Sequence, residues 1–421
     1  MIMPLILPHA IELGASPTLA GILGSVYGGL QLVSSPIIGK WSDGVSRRFG
    51  LLLCMIFTGL GYTVLGLCSS VLAFFISRFI LGCFKHSQTI SRAFLSDEGE
   101  SSPSGQSILL GNFNSFSAIG FILGPVVGGH MAESQGGFSL VACTAGLVFL
   151  LNAVLVWCMV SQSQTESSGS PMQKKNSEPQ LMRSETALSM EKVGSEELNL
   201  NMSKVLRSFK DFNWSQLWDL LLMRFFAGFS MIIFRTNFTM VLKLKFSASP
   251  STIGYMTSFS GIIAALSGFC IGYLTKRYKN NARLLLHATI FQVAALACLT
   301  VAPSLSLLLL ALVPLNLVTS VSRVSATTLT VRSASASPAS DKEKSAASVG
   351  GVIGLGQSVM ALARMSAPLV AGVAQEVAGV DAPAYISVLS AALAVGVMVA
   401  SGRGLESGVP SEESCDKDKR E

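Results

Sequence analysis

Apolar residues fall in long blocks along this chain, and polar residues gather in the short stretches between them. Taken over windows of about nineteen residues, the pattern predicts eleven apolar helices. They lie near 18–38, 51–71, 72–94, 107–131, 138–160, 217–241, 252–274, 284–302, 304–329, 346–374 and 384–402. Each approaches the roughly twenty residues that a helix needs to cross a bilayer. The opening Met-Ile-Met-Pro-Leu-Ile-Leu-Pro is apolar but too short to cross, and reads as the outer end of a first helix whose body is missing. Between about 161 and 210 the blocks give way to Ser, Glu, Gln and Lys, and the tail from Arg403 to Glu421 is charged, so both are expected to be mostly disordered. Val205, Leu206, Phe209 and Phe212 recur at helical spacing just before residue 214 and predict a short interfacial helix, with Trp214 and Trp218 as anchors.

The blocks repeat. Residues 15–39 align without a gap on residues 248–272, with nine identities: Ala15, Ser16, Pro17, Gly21, Ser25, Gly28, Ser34, Ile38 and Gly39 each recur 233 residues later. A second echo has an offset of 243, in which Gly124, Pro125, Val127, Gly129, Glu133 and Gly136 reappear as Ala367, Pro368, Val370, Gly372, Glu376 and Gly379. Duplication of a multi-helix unit points to a transporter architecture. The expected organisation is an N-terminal membrane half over 1–160, a linker over 161–216, a C-terminal membrane half over 217–402 and a tail over 403–421.

Composition agrees: 50% of the residues are hydrophobic and only 13% charged, against about 25% charged in a soluble domain. The net charge of +6 is spread over loops and tail and gives no nucleic-acid signature. If Trp41 to Arg48 faces the cytoplasm, then Lys40, Arg47, Arg48, Arg92, Lys276, Arg277, Lys279, Arg283, Lys342 and Lys344 share that side. Lys243 and Lys245 lie opposite, so the excess of basic residues selects this orientation, with linker and tail cytoplasmic. The cysteines other than Cys415 sit in spans at irregular spacing, which suits packing rather than a disulfide framework or a metal site. No P-loop, His-Glu-x-x-His or Gly-x-Ser-x-Gly motif occurs, and no enzyme activity, cofactor or metal is expected.

Gly39-Lys-Trp-Ser-Asp43-Gly-Val-Ser-Arg47-Arg48 resembles the loop signature of the major facilitator superfamily, with Gly44 and Ser46 departing from it. Arg78 with Gly82 resembles the family's fourth-helix motif. The run Gly120, Gly124, Pro125, Gly128, Gly129 resembles its fifth-helix motif, associated with antiporters such as drug and proton exchangers. The resemblance implies an all-α polytopic fold of two six-helix halves, here eleven full spans plus a stub. It also implies a gate in which Asp43 pairs with Arg47 or Arg48 in one conformation, the alternative being that the two arginines only fix topology. Gly39 would let the helices approach, and Gly120, Gly124 and Gly128 share a helix face suited to close packing.

Charges inside the spans are the candidate chemistry. Arg78, Lys85 and Arg92 are spaced by seven and would form one basic stripe on a single helix. Arg224 and Arg235, eleven apart, point the same way, and Arg323 and Arg364 add a charge each. No Asp or Glu lies deep in a span, so the expected cavity is cationic and its solute anionic. Snorkelling or helix-carbonyl bonding is the alternative for the arginines other than Arg78. Gln31, Asn112, Asn114, Asn237 and Gln357 are further cavity candidates. His86 and His287 are candidate proton sites, His86 pointing about 100° from Lys85 if the helix is continuous. The reading is a monomeric secondary transporter in the lipid bilayer of the plasma membrane or an organelle, moving a small solute by alternating access with a proton as candidate coupling ion. A non-transporting scaffold, or a drug or organic cation–proton antiporter, is the alternative.

Overall fold

In the computed structural model, described over residues 2–45, 47–98, 103–167, 214–278, 280–335 and 342–402, the chain is a bundle of helices. A 3-10 turn (Met3–Leu5) and the short α1 (Ile6–Glu12) lead into α2 (Pro17–Val45), α3 (Arg47–Leu67), α4 (Val71–Phe84), α5 (Ser87–Glu98), α6 (Pro103–Glu133) and α7 (Gly137–Ser167). The second series is α8 (Trp214–Leu244), α9 (Pro250–Tyr278), α10 (Asn281–Val301), α11 (Leu305–Ser335), α12 (Lys342–Ala378) and α13 (Ala382–Ala400). The expected interfacial helix before residue 213, most of the linker and the tail lie outside the described residues.

Among the described residues, eight helices are long and apolar enough to cross a membrane. Their outer faces carry unburied large apolar side chains, among them Leu67, Phe116, Leu151, Phe291 and Leu310, as lipid contact requires. Not every expected span falls in this set. The block at 72–94 forms two helices, α4 and α5, separated at Lys85 and His86, where Lys85 leaves helical geometry with φ −77° and ψ 63°. Side chains from neighbouring helices take up the carbonyls freed by the break: Ser34 donates to Gly82 O at 3.1 Å, Thr58 to Phe84 O at 3.4 Å and Gln31 to Lys85 O at 3.4 Å. Apolarity alone does not record such tertiary partners. The expected single stripe of Arg78, Lys85 and Arg92 is therefore broken at its middle member.

Within the first series α3 packs on α7 and α4 lies against α2 and α3; within the second, α8 packs on α13 and α12, and α10 on α11. Two long-helix pairs make most of the contact between the series, α2 with α12 and α6 with α9, and the short α1 also touches α8. The two largest buried apolar clusters sit at the same end of the bundle. One gathers Leu5, Leu23, Leu65, Phe74 and Val141; the other gathers Leu242, Ile253, Leu299 and Leu308.

Candidate functional site

The two joining pairs are copies of one contact, and this follows from the repeated residues. A Cβ built on Gly21 of α2 would lie 2.4 Å from Pro368 O of α12, and one built on Gly254 of α9 would lie 2.4 Å from Pro125 O of α6. Reciprocally, a Cβ on Gly372 would meet Pro17 O at 2.3 Å and one on Gly129 would meet Pro250 O at 2.6 Å. Only residues without a side chain permit backbones this close. Pro125, Gly129 and Glu133 lie four apart on one face of α6, and Pro368, Gly372 and Glu376 do the same on α12. Gly120 falls on the opposite face from Gly129, and a Cβ there would meet nothing within 4 Å. Gly120 is thus not part of the face that touches α9.

Contact fades along each pair. On α2 the nearest approach at Gly28 is 2.9 Å, to Arg364 O, and at Gly39, five turns on from Gly21 and on the same face, nothing lies within 4 Å. On α9 the approach at Gly261 is 3.5 Å, and Gly268 again meets nothing within 4 Å. The pairs are closed at the Pro17 and Pro250 end and part toward the other, so Gly39 makes no close approach in this conformation.

Polar contacts reinforce the closed end. Lys243 of α8 pairs with Glu12 of α1, and His130 Nε2 of α6 lies 2.7 Å from the Tyr255 hydroxyl of α9. The Glu376 carboxylate accepts from Thr18 N at 2.9 Å and Glu133 accepts from Ser251 N at 3.1 Å. The Thr18 hydroxyl first, then the Thr18 N–H and Ser16, hold the Glu376 carboxyl below the usual carboxylate range. Burial pushes Glu12 up, but the bonds and charges of Lys243 and His9 outweigh it and leave its carboxyl low. Asn237, buried, donates to Val380 O at 3.2 Å near this end; it lines a small cavity with Gly21, Thr236, Pro368 and Gln375 rather than facing the open side.

A second constellation lies in the first series, where α2, α3 and α4 meet. Arg78 is buried, with its guanidinium over the rings of Phe74 at 5.2 Å and Tyr27 at 5.7 Å, and its Nη2 has no hydrogen-bond partner. Lys85 Nζ donates to the Tyr62 hydroxyl at 2.5 Å, and Gln31 Nε2 lies 3.2 Å from the Tyr27 hydroxyl. Arg78, Lys85 and Gln31 are thereby brought together, and Tyr27, Phe74 and Tyr62 join them. The sequence reading missed these three aromatics; the signal available was Tyr27 one turn before Gln31. His86 Nε2 meets Ser34 Oγ at 2.7 Å, and because the helix breaks beside it, the expected 100° offset from Lys85 does not apply.

The remaining candidates are dispersed. Arg92 is exposed and reaches Asn114 Oδ1 at 3.3 Å, and Asn112 is exposed on α6. Arg224 donates to Thr327 of α11 at 3.3 Å and lies over Gly356, while Arg235, exposed, is close enough to Arg323 of α11 for mutual repulsion. Both therefore address α11. Arg364 is exposed on α12. Arg48 donates to Trp157 O at 2.7 Å and lies over that indole at 5.5 Å, whereas the Asp43 side chain lies outside the described residues. The ion pairs Lys243–Glu12 and Lys245–Asp381, and the His9–Glu12 contact, sit at the closed end.

The sequence model of the Major Facilitator Superfamily matches residues 1–368. The chain is 30% identical over 152 residues to major facilitator superfamily domain-containing protein 10 of Bos taurus, a match spanning 36% of this chain and about a third (32%) of that protein's length. Among solved structures it superposes on a bacterial homologue of the human lysosomal transporter Spinster, inward-facing and occupied, with a TM-score of 0.70 at 15% identity, covering 97% of this chain and 94% of the other. It also superposes on the human organic anion transporter MFSD10 (TETRAN), with a TM-score of 0.54 at 23% identity, covering 90% and 83%. At such identities these two likenesses are of fold.

Proposed function

From the premise that this chain belongs to the major facilitator superfamily, whose model matches residues 1–368, we propose that it is a secondary transporter of a small organic anion, working by alternating access. The halves over 1–160 and 217–402 rock about the two joining pairs, and 161–216 and 403–421 lie on the cytoplasmic side. Basic loop residues such as Arg47, Arg48, Arg277 and Arg283 favour that orientation, which makes the closed end the outer one and this conformation open to the cytoplasm.

The observation that carries the substrate class is Arg78. A guanidinium cannot shed its proton in a protein, so it has no route to neutrality when buried. The rings of Tyr27 and Phe74 offset part of the cost of burying it, but Nη2 stays without a partner. Lys85, seven residues on, adds a second cation held by the Tyr62 hydroxyl. A carboxylate or other anionic group on the solute supplies what both lack, and an aromatic or apolar body suits the rings beside them. This is the same class that the human neighbour is described as carrying. Gln31 orients the site; Arg224, Arg235 and Arg364 are the cations of the opposite half, and Asp43 with Arg47 and Arg48 forms the gate at the cytoplasmic end. The protein acts as a monomer, with a proton as coupling ion.

The test is flux into proteoliposomes of the full-length protein, across panels of organic anions and organic cations, with and without a pH gradient. Anion flux lost in Arg78→Gln, at unchanged folding, is the expected result. Cation flux that survives Arg78→Gln, with no anion flux in the parent protein, refutes the reading.

A further inference from the structure

At the closed end, the first turns of α2 and α9 are completed by residues of the opposite half. Each of these helices begins with the same order of residues: Ser16 and Ser249 stand at the N-cap, Pro17 and Pro250 at the first helical position, Thr18 and Ser251 at the second. The first four N–H groups of any helix lack intrahelical acceptors. Proline at the first position has no N–H to satisfy. The third position donates to the N-cap hydroxyl, Leu19 N to Ser16 Oγ at 3.2 Å and Thr252 N to Ser249 Oγ at 3.3 Å. Of the helical positions the second is left, and its N–H goes to Glu376 in one case and Glu133 in the other.

Each glutamate therefore sits as an anion at the positive end of a helix from the other half. Glu133 of the first series holds α9 of the second, and Glu376 of the second holds α2 of the first. Pro, Gly and Glu in α6 and α12, and Ser, Pro and Gly in α2 and α9, persist at matching positions in both copies, although most other positions between the copies have diverged. The same contact thus occurs twice, from two different stretches of chain.

We propose that Glu133 and Glu376 are paired latches of the outer gate: each carboxylate biases the transporter toward the outward-closed state by capping the opposing half's interface helix. Both carboxylates are exposed even in the closed state, so the attraction is already partly screened; when the mouth opens each carboxylate separates from its helix end and the freed N–H is hydrated instead. The charge on each glutamate then stabilises the closed state only. Because there are two independent latches, neutralising one weakens closure and neutralising both weakens it multiplicatively. The inference rests on the alternating-access reading, but not on the identity of the solute.

The experiment uses the full-length protein in nanodiscs, where both ends meet solvent, and reads peptide-resolved labelling by a polar thiol reagent. Thr236→Cys reports the closed mouth and Gly39→Cys the parted end. Glutamine still accepts the N–H bond, so Glu133→Gln and Glu376→Gln remove charge alone. Each is expected to raise labelling at position 236 by about two- to fivefold, and the pair by roughly the product, while labelling at 39 falls. Glu133→Asp and Glu376→Asp, which keep the charge, should stay nearer the parent rate. Unchanged labelling at 236 in the double variant overturns the proposal, and so does a parallel rise at both reporters, which would mean general loosening. No solute enters the assay, so failure here is separable from failure of the anion reading, which the Arg78→Gln flux decides.

Discussion

The close approach at Gly21 and Gly254 makes conformational balance sensitive to a single methyl group. In Gly254→Ala the added carbon would sit 2.4 Å from Pro125 O, and in Gly21→Ala 2.4 Å from Pro368 O, both backbone atoms held in helices. Reaching even the tightest tolerable separation of 3.0 Å requires each pair to part by about 0.6 Å. Overpacking of this kind costs about 1–3 kcal/mol, which falls on the closed end and is relieved when the mouth opens. Alanine's gain in helix propensity over glycine, about 1 kcal/mol, is the same in both conformations and leaves their ratio unchanged. Each substitution should therefore shift the closed-to-open ratio by about 5- to 150-fold. Spin labels at Leu140 of α7 and Val377 of α12, both exposed, measure the distance across the mouth. The double variant should gain a longer-distance population, while Gly39→Ala, where nothing lies within 4 Å, should not. A distance distribution identical to the parent's in the double variant would falsify the steric account of the closed end.

Arg78→Gln should leave the protein folded, with thermal stability equal or higher, because it removes a buried charge whose Nη2 has no partner; a sharp fall in melting temperature would instead reveal a structural role. Tyr62→Phe strips the hydroxyl from Lys85 but keeps the ring under its ammonium, and should destabilise by about 1–3 kcal/mol in denaturation of detergent-solubilised protein; an unchanged midpoint argues against that bond. Glu12 is half-exposed and its carboxyl is held low, so its pairing with Lys243 stabilises the closed end above the ordinary carboxylate pKa and is lost as pH falls through the lowered value. Water and salt screen the pair, so Glu12→Gln should cost under about 1 kcal/mol near neutral pH and less in high salt, which a melting curve at two ionic strengths checks.

Much of the architecture was legible in the residues, because in lipid each helix must satisfy its own backbone and so writes itself as a block of apolar positions. The internal repeat was equally visible: matching Pro17 with Pro250 and Pro125 with Pro368 needs no coordinates, and it anticipated two related halves. What it could not give was the pairing of those repeats across the halves, since the residues of α2 that touch α12 are more than 330 positions away and an offset says nothing of who faces whom. Helix faces were read less well. Glycine spacing draws Gly120 into the packing face, although a Cβ there meets nothing within 4 Å. The working stripe ran instead through Pro125, Gly129 and Glu133, where two of the three contact residues are not glycine.

The break at Lys85 marks the boundary most sharply. Residues 72–94 are apolar enough for one helix, and nothing local forbids it; the helix opens because Ser34, Thr58 and Gln31, brought in by α2 and α3, accept the cost of its freed carbonyls. The sequence determined which segments are apolar blocks and where the basic residues sit along them. Tertiary structure alone decided that Arg78 is enclosed by Tyr27 and Phe74 while Arg92 and Arg364 are exposed, and that the mouth is shut at one end by two crossed carboxylates. Apolarity along one chain is a property of composition, but burial of a given side chain and its partnership with distant ones depend on packing that no local pattern encodes.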